Sequence, residues 1–424
     1  MYIYMNVGII GSGGREHALC ISLKKSQKIK NIYCFPGNAG TSFIAKNIEI
    51  DLTNFEELKK FIQKLAIDIV IVGPEKPLVD GLVDFLKENK IKVFGPNKAA
   101  SQLEGSKIFT KNLCRKYKIP TANFGVFNNI EKSLSFLKKC KFPIVVKADG
   151  LASGKGVYIC ENLENSKDAI TEIFGGKFGE ANEILIEEFL EGEEMSFFII
   201  SDGINYKKFG TAQDHKRVLE GDKGKNTGGM GAYSPSRLEN ETLDKKILEK
   251  IIKPTLLGLK NLKTEFVGFL YAGLMVVKGE PFLIEYNVRM GDPECQTILP
   301  RLKTDFLEII DATINKKLGS INLEWFEEKS ICIVLCSKGY PDKFQNNVEI
   351  KKLEKIKPKN NNYIFHAGTK LKNSKIYSNG GRVLNFVIKS KNLKQSRDEL
   401  INSINDLNWE NGYFRKDIGF KIFE

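Results

Sequence analysis

Residues 147–157 read K-A-D-G-L-A-S-G-K-G-V, a glycine-rich loop between two apolar, strand-like segments. A Walker A loop requires G-x-x-x-x-G-K-S/T between a strand and a helix. Here only three residues separate Gly150 from Gly154, and Gly156 stands where the serine or threonine should be. The stretch therefore predicts a hairpin flap whose backbone N–H groups cover a polyphosphate. Lys147 and Lys155 would neutralise phosphate charge, whereas the alternative is an ordinary flexible hairpin with an incidental lysine.

A second informative stretch is P-F-L-I-E-Y-N-V-R-M-G-D-P-E, residues 281–294. Side chains two apart on a strand share a face, so Glu285, Asn287 and Arg289 are predicted to lie on one side. A carboxylate and an amide oxygen suit Mg²⁺, whose other ligands are water and phosphate. Arg289 would stabilise the charge that develops during phosphoryl transfer. The alternative is a polar strand edge that faces solvent.

Between these stretches, residues 184–196 read I-L-I-E-E-F-L-E-G-E-E-M-S. The pattern predicts a strand, a turn at Gly192 and a second strand. Backbone groups from Glu187 to Leu190 would pair with an adenine edge, and Glu194 would accept hydrogen bonds from ribose. Taken alone, the five glutamates of this stretch favour a solvated rim.

The flanking regions indicate the fold class. From Val7 to Phe94, short apolar strands alternate with helical stretches, and a Gly/Pro loop follows each strand. This rhythm predicts a doubly wound parallel sheet that binds ligands at the carboxyl ends of its strands. After Pro96 the strands follow one another more closely, which predicts an α+β region with largely antiparallel strands. A third region begins near Ser330 and ends in a helix at 393–407.

Composition excludes several classes of protein. Hydrophobic residues make up 42% and charged residues 28% of the 424, which is ordinary globular composition. Eight cysteines without a C-x-x-C pair and only three histidines make a zinc cluster improbable and indicate a reducing compartment, so we expect a cytoplasmic protein. No membrane helix or signal peptide is expected. The net charge of +13 comes from lysines spread along the whole chain, which favours solvated helix faces over nucleic-acid binding.

The hinge, the flap and the Glu285/Asn287 pair resemble an ATP-grasp fold, and the whole chain resembles the phosphoribosylamine–glycine ligase family. R-x-G-D-P-E after the proposed metal strand is the most family-like motif, and the order and spacing of all the motifs together are highly specific. Ser153 and Met290 depart from the usual family residues, and neither supplies chemistry. The matching stretches are residues 11–19, 36–41, 72–81, 94–107, 147–157, 187–194, 212–217, 226–235, 268–275, 287–294, 365–369 and 379–384.

The resemblance implies an N-terminal parallel-sheet (pre-ATP-grasp) domain at 1–104, a two-part ATP-grasp domain at 105–325 with a mobile lid at about 121–192, and a small C-terminal α+β domain at 326–424. It also implies a monomer that joins glycine to 5-phosphoribosylamine. ATP would be cleaved to ADP and phosphate, with a glycyl phosphate intermediate and Mg²⁺ or Mn²⁺ as cofactor. No nucleic acid or membrane partner is implied.

The resemblance assigns roles residue by residue. The implied nucleotide contacts are Lys107, Lys147, Gly150, Ser153, Gly154, Lys155, Gly156, Glu187, Glu188, Leu190 and Glu194. The metal ligands would be Glu285 and Asn287. The groups that gather glycine and the transferred phosphoryl would be Arg289, Asp214, His215 and Lys216. The implied 5-phosphoribosylamine site consists of Gly13, Gly14, Arg15, Asn38, Gly40, Thr41 and Glu75.

Some readings remain open at this point. Asp214 and His215 would form a general acid/base pair, or His215 is a loop histidine held in place by hydrogen bonds, and His17 is expected to be structural. A nicotinamide-dependent dehydrogenase is a rival, but G-x-G-x-x-G fails at Glu16. A basic nucleic-acid-binding protein would need aromatic residues among basic clusters, which are not found. Another ATP-grasp ligase of purine synthesis is disfavoured by residues 36–41 and 365–369.

Overall fold

The computed structural model describes residues 4–151, 156–179, 182–356 and 361–423. Over these residues the chain forms three main sheets of five, four and nine strands, together with two separate hairpins. Ser153, Gly154 and Lys155 of the expected flap lie outside the described residues. Their contacts with a nucleotide therefore stay predictions.

The N-terminal sheet is parallel throughout, in the order β3-β2-β1-β4-β5. Its strands are β1 (Met5–Gly11), β2 (Ile29–Pro36), β3 (Lys46–Asn47), β4 (Ile69–Val72) and β5 (Val93–Phe94). The helices of this region are α1 (Gly14–Lys24), α2 (Phe55–Lys64), α3 (Glu75–Asp80), α4 (Leu82–Glu88) and α5 (Lys98–Gly105).

Helices cover both faces of this sheet because its strands are apolar on both sides. Val7 and Ile9 pack in one cluster with Leu19 of α1, whereas Ile10 packs in another with Leu58 of α2. Successive strand residues point to opposite faces, so this division places the two helices on opposite sides. The predicted doubly wound parallel sheet is confirmed.

A four-stranded antiparallel sheet in the order β6-β9-β7-β8 forms a smaller unit, residues 124–188, which we call the lid. It follows α6 (Lys107–Tyr117), and its elements are β6 (Phe124–Phe127), α7 (Ile130–Leu137), β7 (Ile144–Ala148), β8 (Val157–Cys160), α8 (Leu163–Phe174) and β9 (Ile184–Glu188). Leu137, Val146, Ile170 and Ile186 belong to a core that is separate from the two larger clusters. The lid therefore has its own hydrophobic support.

The third sheet is antiparallel throughout, as expected, in the order β16-β15-β10-β11-β14-β17-β21-β18 with β22 beside β17. Its strands are β10 (Glu193–Asp202), β11 (Tyr206–Asp214), β14 (Gly231–Ser234), β15 (Val267–Val277), β16 (Glu280–Asn287), β17 (Lys329–Ser337), β18 (Asn362–His366), β21 (Arg382–Ser390) and β22 (Gly412–Tyr413). The two hairpins are β12 (Arg217–Leu219) with β13 (Lys223–Asn226), and β19 (Thr369–Lys372) with β20 (Lys375–Ser378).

The remaining helices lie around this sheet. They are α9 (Glu241–Ile247), α10 (Lys253–Asn261), α11 (Glu294–Ile298), α12 (Phe306–Ile314), α13 (Leu393–Leu407) and α14 (Phe420–Phe423), with a π-helical turn at Leu248–Ile252. Short 3-10 turns occupy Thr41–Phe43, Leu299–Arg301, Leu318–Ser320 and Leu353–Lys355. Of the helices that the structure describes, none combines the length and the apolar character needed to cross a membrane.

The C-terminal strands continue the third sheet instead of forming one of their own. Ala232 of β14 lies opposite Cys332 of β17, which joins the two halves. Gly231 permits this approach, since a Cβ there would lie 2.5 Å from the carbonyl oxygen of Cys332. The helix expected at 393–407 is confirmed as α13, which packs on β17 and β21.

The separate core of the lid predicts a local response to mutation. Ile170→Ala removes a fully buried side chain, which costs about 2–5 kcal/mol, within a cluster that supports only the lid. We expect faster amide hydrogen exchange in β7 and β9 and unchanged protection in β10 and β15. Lys167→Ala, exposed on the same helix, is the matched control. A uniform loss of protection across all sheets would contradict a separate lid core.

Candidate active site

A cavity of about 1200 Å³ lies where the lid, the nine-stranded sheet and the carboxyl ends of the N-terminal strands meet. It brings the lid lysine Lys147 and the Glu285/Asn287 pair into one space. The predicted site residues that line it are Gly13, Arg15, Glu75, Lys107, Lys147, Gly150, Gly156, Glu187, Glu188, Leu190, Glu194, Asp214, His215, Lys216, Glu285, Asn287 and Arg289.

The inner face of the lid carries a buried ion-pair triad. Val145 of β7 lies opposite Glu187 of β9, so Lys147, two residues further along β7, shares the face of Glu187. The Nζ of Lys147 lies 2.8 Å from one carboxylate oxygen of Glu187, and the Nζ of Lys111 from α6 lies 2.9 Å from the other. Burial opposes ionisation of Glu187, but the two ammonium groups outweigh it and lower its pKa. The triad carries a net positive charge, which suits phosphate.

The base of the lid is fastened to the start of α6. The Asp149 carboxylate accepts hydrogen bonds from the hydroxyl of Ser106 at 3.0 Å and from the backbone N–H of Ile108 at 3.1 Å. Lys107 Nζ donates to the carbonyl of Gly150 at 2.8 Å. Burial lowers the pKa of Lys107. This ammonium group is therefore held where the flap begins.

Glu285 enters the cavity from the end of β16. It lies opposite Gly273, where a Cβ would approach the Cγ of Glu285 to 3.3 Å. Burial alone would raise the pKa of Glu285, but Lys216, Lys147 and Lys107 outweigh that effect and lower it. The carboxylate therefore stays ionised among three ammonium groups.

Arg289 joins the end of β16 to the N-terminal region. Its Nε donates to a carboxylate oxygen of Glu75 at 3.1 Å, and an Nη group donates to Glu104 at 2.7 Å. The same guanidinium donates to Asn287 Oδ1 at 3.1 Å. The second carboxylate oxygen of Glu104 accepts the backbone N–H of Val288 at 2.8 Å. Arg289 is thus fixed from two sides.

The two carboxyl partners of Arg289 differ in pKa. Arg289 lowers the pKa of Glu75 to about 2. Burial raises the pKa of Glu104 to about 7, because it outweighs the opposing effect of Arg289. Glu104 therefore titrates near neutral pH, whereas Glu75 is ionised there.

A second acid group lies at the end of β11. Burial and the neighbouring Glu294 raise the pKa of Asp214 well above its ordinary value. Asp214 Oδ1 is buried without a hydrogen-bond partner in the described part of the chain. Glu294 accepts a hydrogen bond from Ser196 Oγ at 3.1 Å, while Lys216 Nζ lies 3.1 Å from Glu194. A cation bound between these two carboxyl groups would relieve the repulsion that disfavours their joint ionisation.

His215 points away from Asp214. Its Nε2 accepts the backbone N–H of Gly419 at 2.9 Å, and its Nδ1 lies 3.4 Å from Asp222 Oδ1. Burial lowers the pKa of His215, so the ring is neutral. Both ring nitrogens have partners other than Asp214, which favours the alternative of a structural histidine, and a catalytic role for His215 stays a prediction.

The loop after β1 is organised by Glu16. Its carboxylate accepts the N–H of Gly13 and the Nε–H of Arg15, each at 2.6 Å. Gly73 leaves room for it, since a Cβ there would lie 2.1 Å from a Glu16 oxygen. Arg15 also donates to the carbonyl of Met290 at 3.1 Å. Arg15 is therefore held in one orientation at the cavity wall.

Asp292 connects this loop to the C-terminal strands. One carboxylate oxygen accepts the backbone N–H of Arg15 at 3.2 Å, and the other lies 3.3 Å from the guanidinium of Arg382. Arg382 also donates to the carbonyl of Gly228 at 2.6 Å. Arg15 and Arg382 both line the cavity, so this end of it carries two fixed cations.

Four of the predicted substrate residues do not line the cavity: Gly14, Asn38, Gly40 and Thr41. Asn38 Nδ2 donates to the carbonyls of Ser12 at 2.8 Å and His366 at 2.9 Å. His17, as expected, is structural, because its Nδ1 accepts the backbone N–H of His366 at 2.8 Å. These residues shape the loops behind the wall, and their direct contact with a substrate stays a prediction.

The predicted hinge is partly occupied by the lid sheet. Glu187 pairs with Phe124 on one side and with Val145 on the other. The Glu188 carboxylate accepts the backbone and side-chain N–H groups of Asn123, at 2.9 and 3.0 Å. Leu190 lies beyond the end of β9 and lines the cavity, and its contact with an adenine edge stays a prediction.

Family models match the chain in three consecutive parts. The Phosphoribosylglycinamide synthetase N domain matches residues 5–104, the ATP-grasp (A) domain residues 105–295, and the C domain residues 330–421. The chain belongs to the phosphoribosylglycinamide synthetase family. The predicted ATP-grasp architecture with flanking N and C domains is thereby confirmed.

Relatives match over nearly the full length. Phosphoribosylamine–glycine ligase of Brucella melitensis biotype 1 is 43% identical, with 99% of each chain covered. That of Caldanaerobacter subterraneus subsp. tengcongensis is 44% identical, with 98% of this chain and 99% of the relative covered. The crystal structure of phosphoribosylamine–glycine ligase from Thermotoga maritima superimposes with a TM-score of 0.85 at 33% identity, covering 98% of this chain and 100% of the other.

Several residues of the cavity were missed at the level of sequence. Lys111 follows Lys107 by four residues on one helix, a spacing that predicts a shared face. Glu104 lies within the matching stretch 94–107, and Asp292 and Glu294 lie in D-P-E, but none of these acids had a predicted role. These residues are positioned by contacts between distant parts of the chain, so their partners could not be read from spacing.

The pKa of Glu104 predicts a pH-dependent stability. Because folding raises this pKa from 4.5 to about 7, stability that the protonated carboxyl contributes is lost as pH rises through about 7. We expect the thermal unfolding midpoint of the wild type to fall relative to that of Glu104→Gln between about pH 5 and about pH 8. Glu88→Gln, an exposed change, should show no such trend. A wild-type midpoint that rises relative to Glu104→Gln would mean that Arg289 outweighs burial.

Proposed function

We propose that this chain ligates glycine to 5-phosphoribosylamine and forms glycinamide ribonucleotide as ATP is cleaved to ADP and phosphate. Full-length relatives of that name at 43% and 44% identity support the proposal. The observation that carries it is the single cavity shared by Lys147 of the lid, Lys107 and Lys111 of α6, the ionised Glu285, the Asp214/Glu294 acid pair and the Arg15 loop. Each substrate would face a part of the cavity wall with charge opposite to its own.

We propose a reaction in two steps, because a free carboxylate is a poor acyl donor. A carboxylate oxygen of glycine attacks the γ-phosphorus of ATP, and the bond to ADP breaks, which gives glycyl phosphate. The nitrogen of 5-phosphoribosylamine then attacks the carbonyl carbon, phosphate leaves, and the amine loses a proton. Neither step needs a side-chain nucleophile, so the chain contributes positioning and charge stabilisation.

The ATP end of the cavity would lie under the lid. Lys107 and Lys147 are held beside the flap and would contact the phosphates. The backbone near Leu190 would form hydrogen bonds with adenine. The carboxylate of Glu194, which also pairs with Lys216, would accept hydrogen bonds from the ribose hydroxyls. Lys111 keeps Glu187 neutralised, so Lys147 retains positive charge for the nucleotide.

Glu285 and Asn287 would hold Mg²⁺. The fit rests on the donor set, an ionised carboxylate and an amide oxygen on one strand, because Mg²⁺ prefers oxygen ligands. No group of three or more His, Cys, Asp or Glu residues within the described ranges could hold a metal, so nucleotide phosphates would share the ligation. Bound Mg²⁺ would offset phosphate charge, and Mn²⁺ is the alternative ion.

Glycine would bind between opposite charges. Its ammonium group matches the unused acceptor of Asp214 and the neighbouring Glu294, whose mutual repulsion a cation relieves. Its carboxylate would face Lys216 and Arg289, near the γ-phosphate. This orientation presents the carboxylate for attack and keeps the amine away from the phosphoryl group.

The sugar phosphate would bind at the other end. Arg15 and Arg382 are fixed cations at the wall, and Gly13 lines the cavity beside Arg15, so the loop backbone also faces the site.

We also propose the domain limits 1–104, 105–325 and 326–424, with a mobile lid subdomain at about 121–192 that includes the lid of residues 124–188. We further propose a monomeric state and a cytoplasmic location. The separate N-terminal and lid sheets support the first two divisions.

The proposed Mg²⁺ ligand Glu285 on β16 predicts a loss of phosphate release on mutation. Phosphate release should require ATP, glycine and 5-phosphoribosylamine together, and Glu285→Gln should lower kcat about 100-fold or more, because charge at the phosphoryl group is no longer balanced. Glu280→Gln, at the other end of β16, is the control. Full activity of Glu285→Gln with Mg²⁺ would remove the metal assignment.

The acid pair predicts a substrate-specific effect. Asp214→Asn keeps the shape of the protonated acid but cannot ionise toward an ammonium group. We expect KM for glycine to rise about tenfold or more, with a much smaller change in KM for ATP. Steady-state kinetics with each substrate varied in turn would measure both. An equal rise for ATP would place Asp214 at the nucleotide instead.

A further inference from the structure

A second cavity, of about 600 Å³, lies between the N-terminal domain and the nine-stranded sheet. Its wall comes from the end of α4, the start of β5, the end of α10, the start of β15 and the end of α12. It shares no lining residue with the active-site cavity. We call it the basic cavity because five lysines line it: Lys87, Lys92, Lys260, Lys263 and Lys316.

The basic cavity has a large excess of positive charge. Within the described ranges, Lys316 alone of the five has a carboxylate within 4 Å, that of Glu265 at 2.6 Å, and Glu265 also lines the cavity. In the part of the chain that the structure describes, no carboxylate oxygen lies within 4 Å of the ammonium groups of the other four lysines. Desolvation lowers the pKa of Lys87 and repulsion from Lys316 adds to the shift, whereas the carboxylates of Asp84 and Glu265 oppose it. All five lysines are exposed, as solvated lysines commonly are in this chain, but these five surround one concavity.

The wall also offers a neutral donor. Asn97 caps α5, and its Oδ1 accepts the N–H of Ala100 at 2.8 Å and the hydroxyl of Thr264 at 2.9 Å. These bonds fix the amide, and its Nδ2 group has no partner among the described residues. Asn97 is half-buried and lines the cavity. A fixed N–H donor beside several ammonium groups is suited to a phosphate oxygen.

We propose that the basic cavity binds a polyphosphate anion, either inorganic or as the phosphate chain of a nucleotide. Lysine ammonium groups bind phosphate as point charges, and four unpaired ones match a ligand with several negative charges. The volume lies within the range of ligand pockets and exceeds the need of a single phosphate. Single-stranded nucleic acid is disfavoured, because none of the described lining residues is aromatic and could stack with bases.

The test is calorimetric titration of the full chain with inorganic tripolyphosphate at about 0.15 M salt, where long-range attraction is screened. The cavity variant is Lys92→Glu/Lys260→Glu, with one exposed lysine from each side. The control is Lys245→Glu/Lys394→Glu, which makes the same change in net charge at exposed positions elsewhere. We expect the cavity variant to lose one bound equivalent, or to bind it about tenfold or more weakly, and the control to match the wild type.

The KM for ATP should stay within about twofold in both variants, which also shows that they fold. Identical isotherms for all three proteins, or equal weakening in the control, would overturn the proposal. A matching rise in KM for ATP would assign the lost equivalent to the active site and overturn it as well. Repeating the titration with ATP distinguishes an inorganic polyphosphate from a nucleotide. If the basic cavity takes only inorganic polyphosphate, each variant and the wild type bind one ATP per chain. If it takes a nucleotide, the wild type binds two ATP per chain.

Discussion

The hydrogen bonds of the Arg289 guanidinium to Glu75 and Glu104 are the interaction on which the rest of the site depends. The guanidinium holds Glu75 from the N-terminal domain and Glu104 from α5 against the end of β16, where Glu285 and Asn287 lie. A buried ion pair of this kind is weak evidence for stability, because desolvation offsets much of the attraction. Its geometry instead fixes how the carboxyl ends of the parallel strands face the ATP-grasp sheet.

Charged side chains around the cavity form clusters in which positive and negative groups are not equal in number. Lys111 and Lys147 share Glu187, three lysines surround Glu285, and Asp214 lies beside Glu294. Each wall is therefore incompletely neutralised in the protein alone. The excess of ammonium groups around Glu187 and Glu285 corresponds to phosphate, and the acid pair of Asp214 and Glu294 corresponds to an ammonium group. A site whose charges are balanced only when its ligands are bound supports catalysis by positioning and by charge stabilisation.

Much of this arrangement could be predicted from local patterns. Strand alternation predicted the shared face of Glu285 and Asn287, and the strand–loop–helix rhythm predicted the parallel sheet and the edge where its ligands bind. The contacts that sequence spacing did not predict have a common cause. The bonds of His215 to Gly419, the clamp on Arg289 by Glu104 and the pairing of β14 with β17 all join distant parts of the chain, so no short-range spacing reports them. The contacts of the Asn38 amide with Ser12 and His366 are of the same kind, because only the tertiary structure brings these loops together.

The central claim is that the cavity holds the glycine carboxylate against the γ-phosphate of ATP. It is tested most directly by carrying out the reaction with glycine whose carboxylate carries a heavy-oxygen label, and by analysing the released phosphate by mass spectrometry. The account predicts that one labelled oxygen per turnover is transferred from glycine to phosphate. Phosphate without label, together with normal formation of glycinamide ribonucleotide, would contradict it.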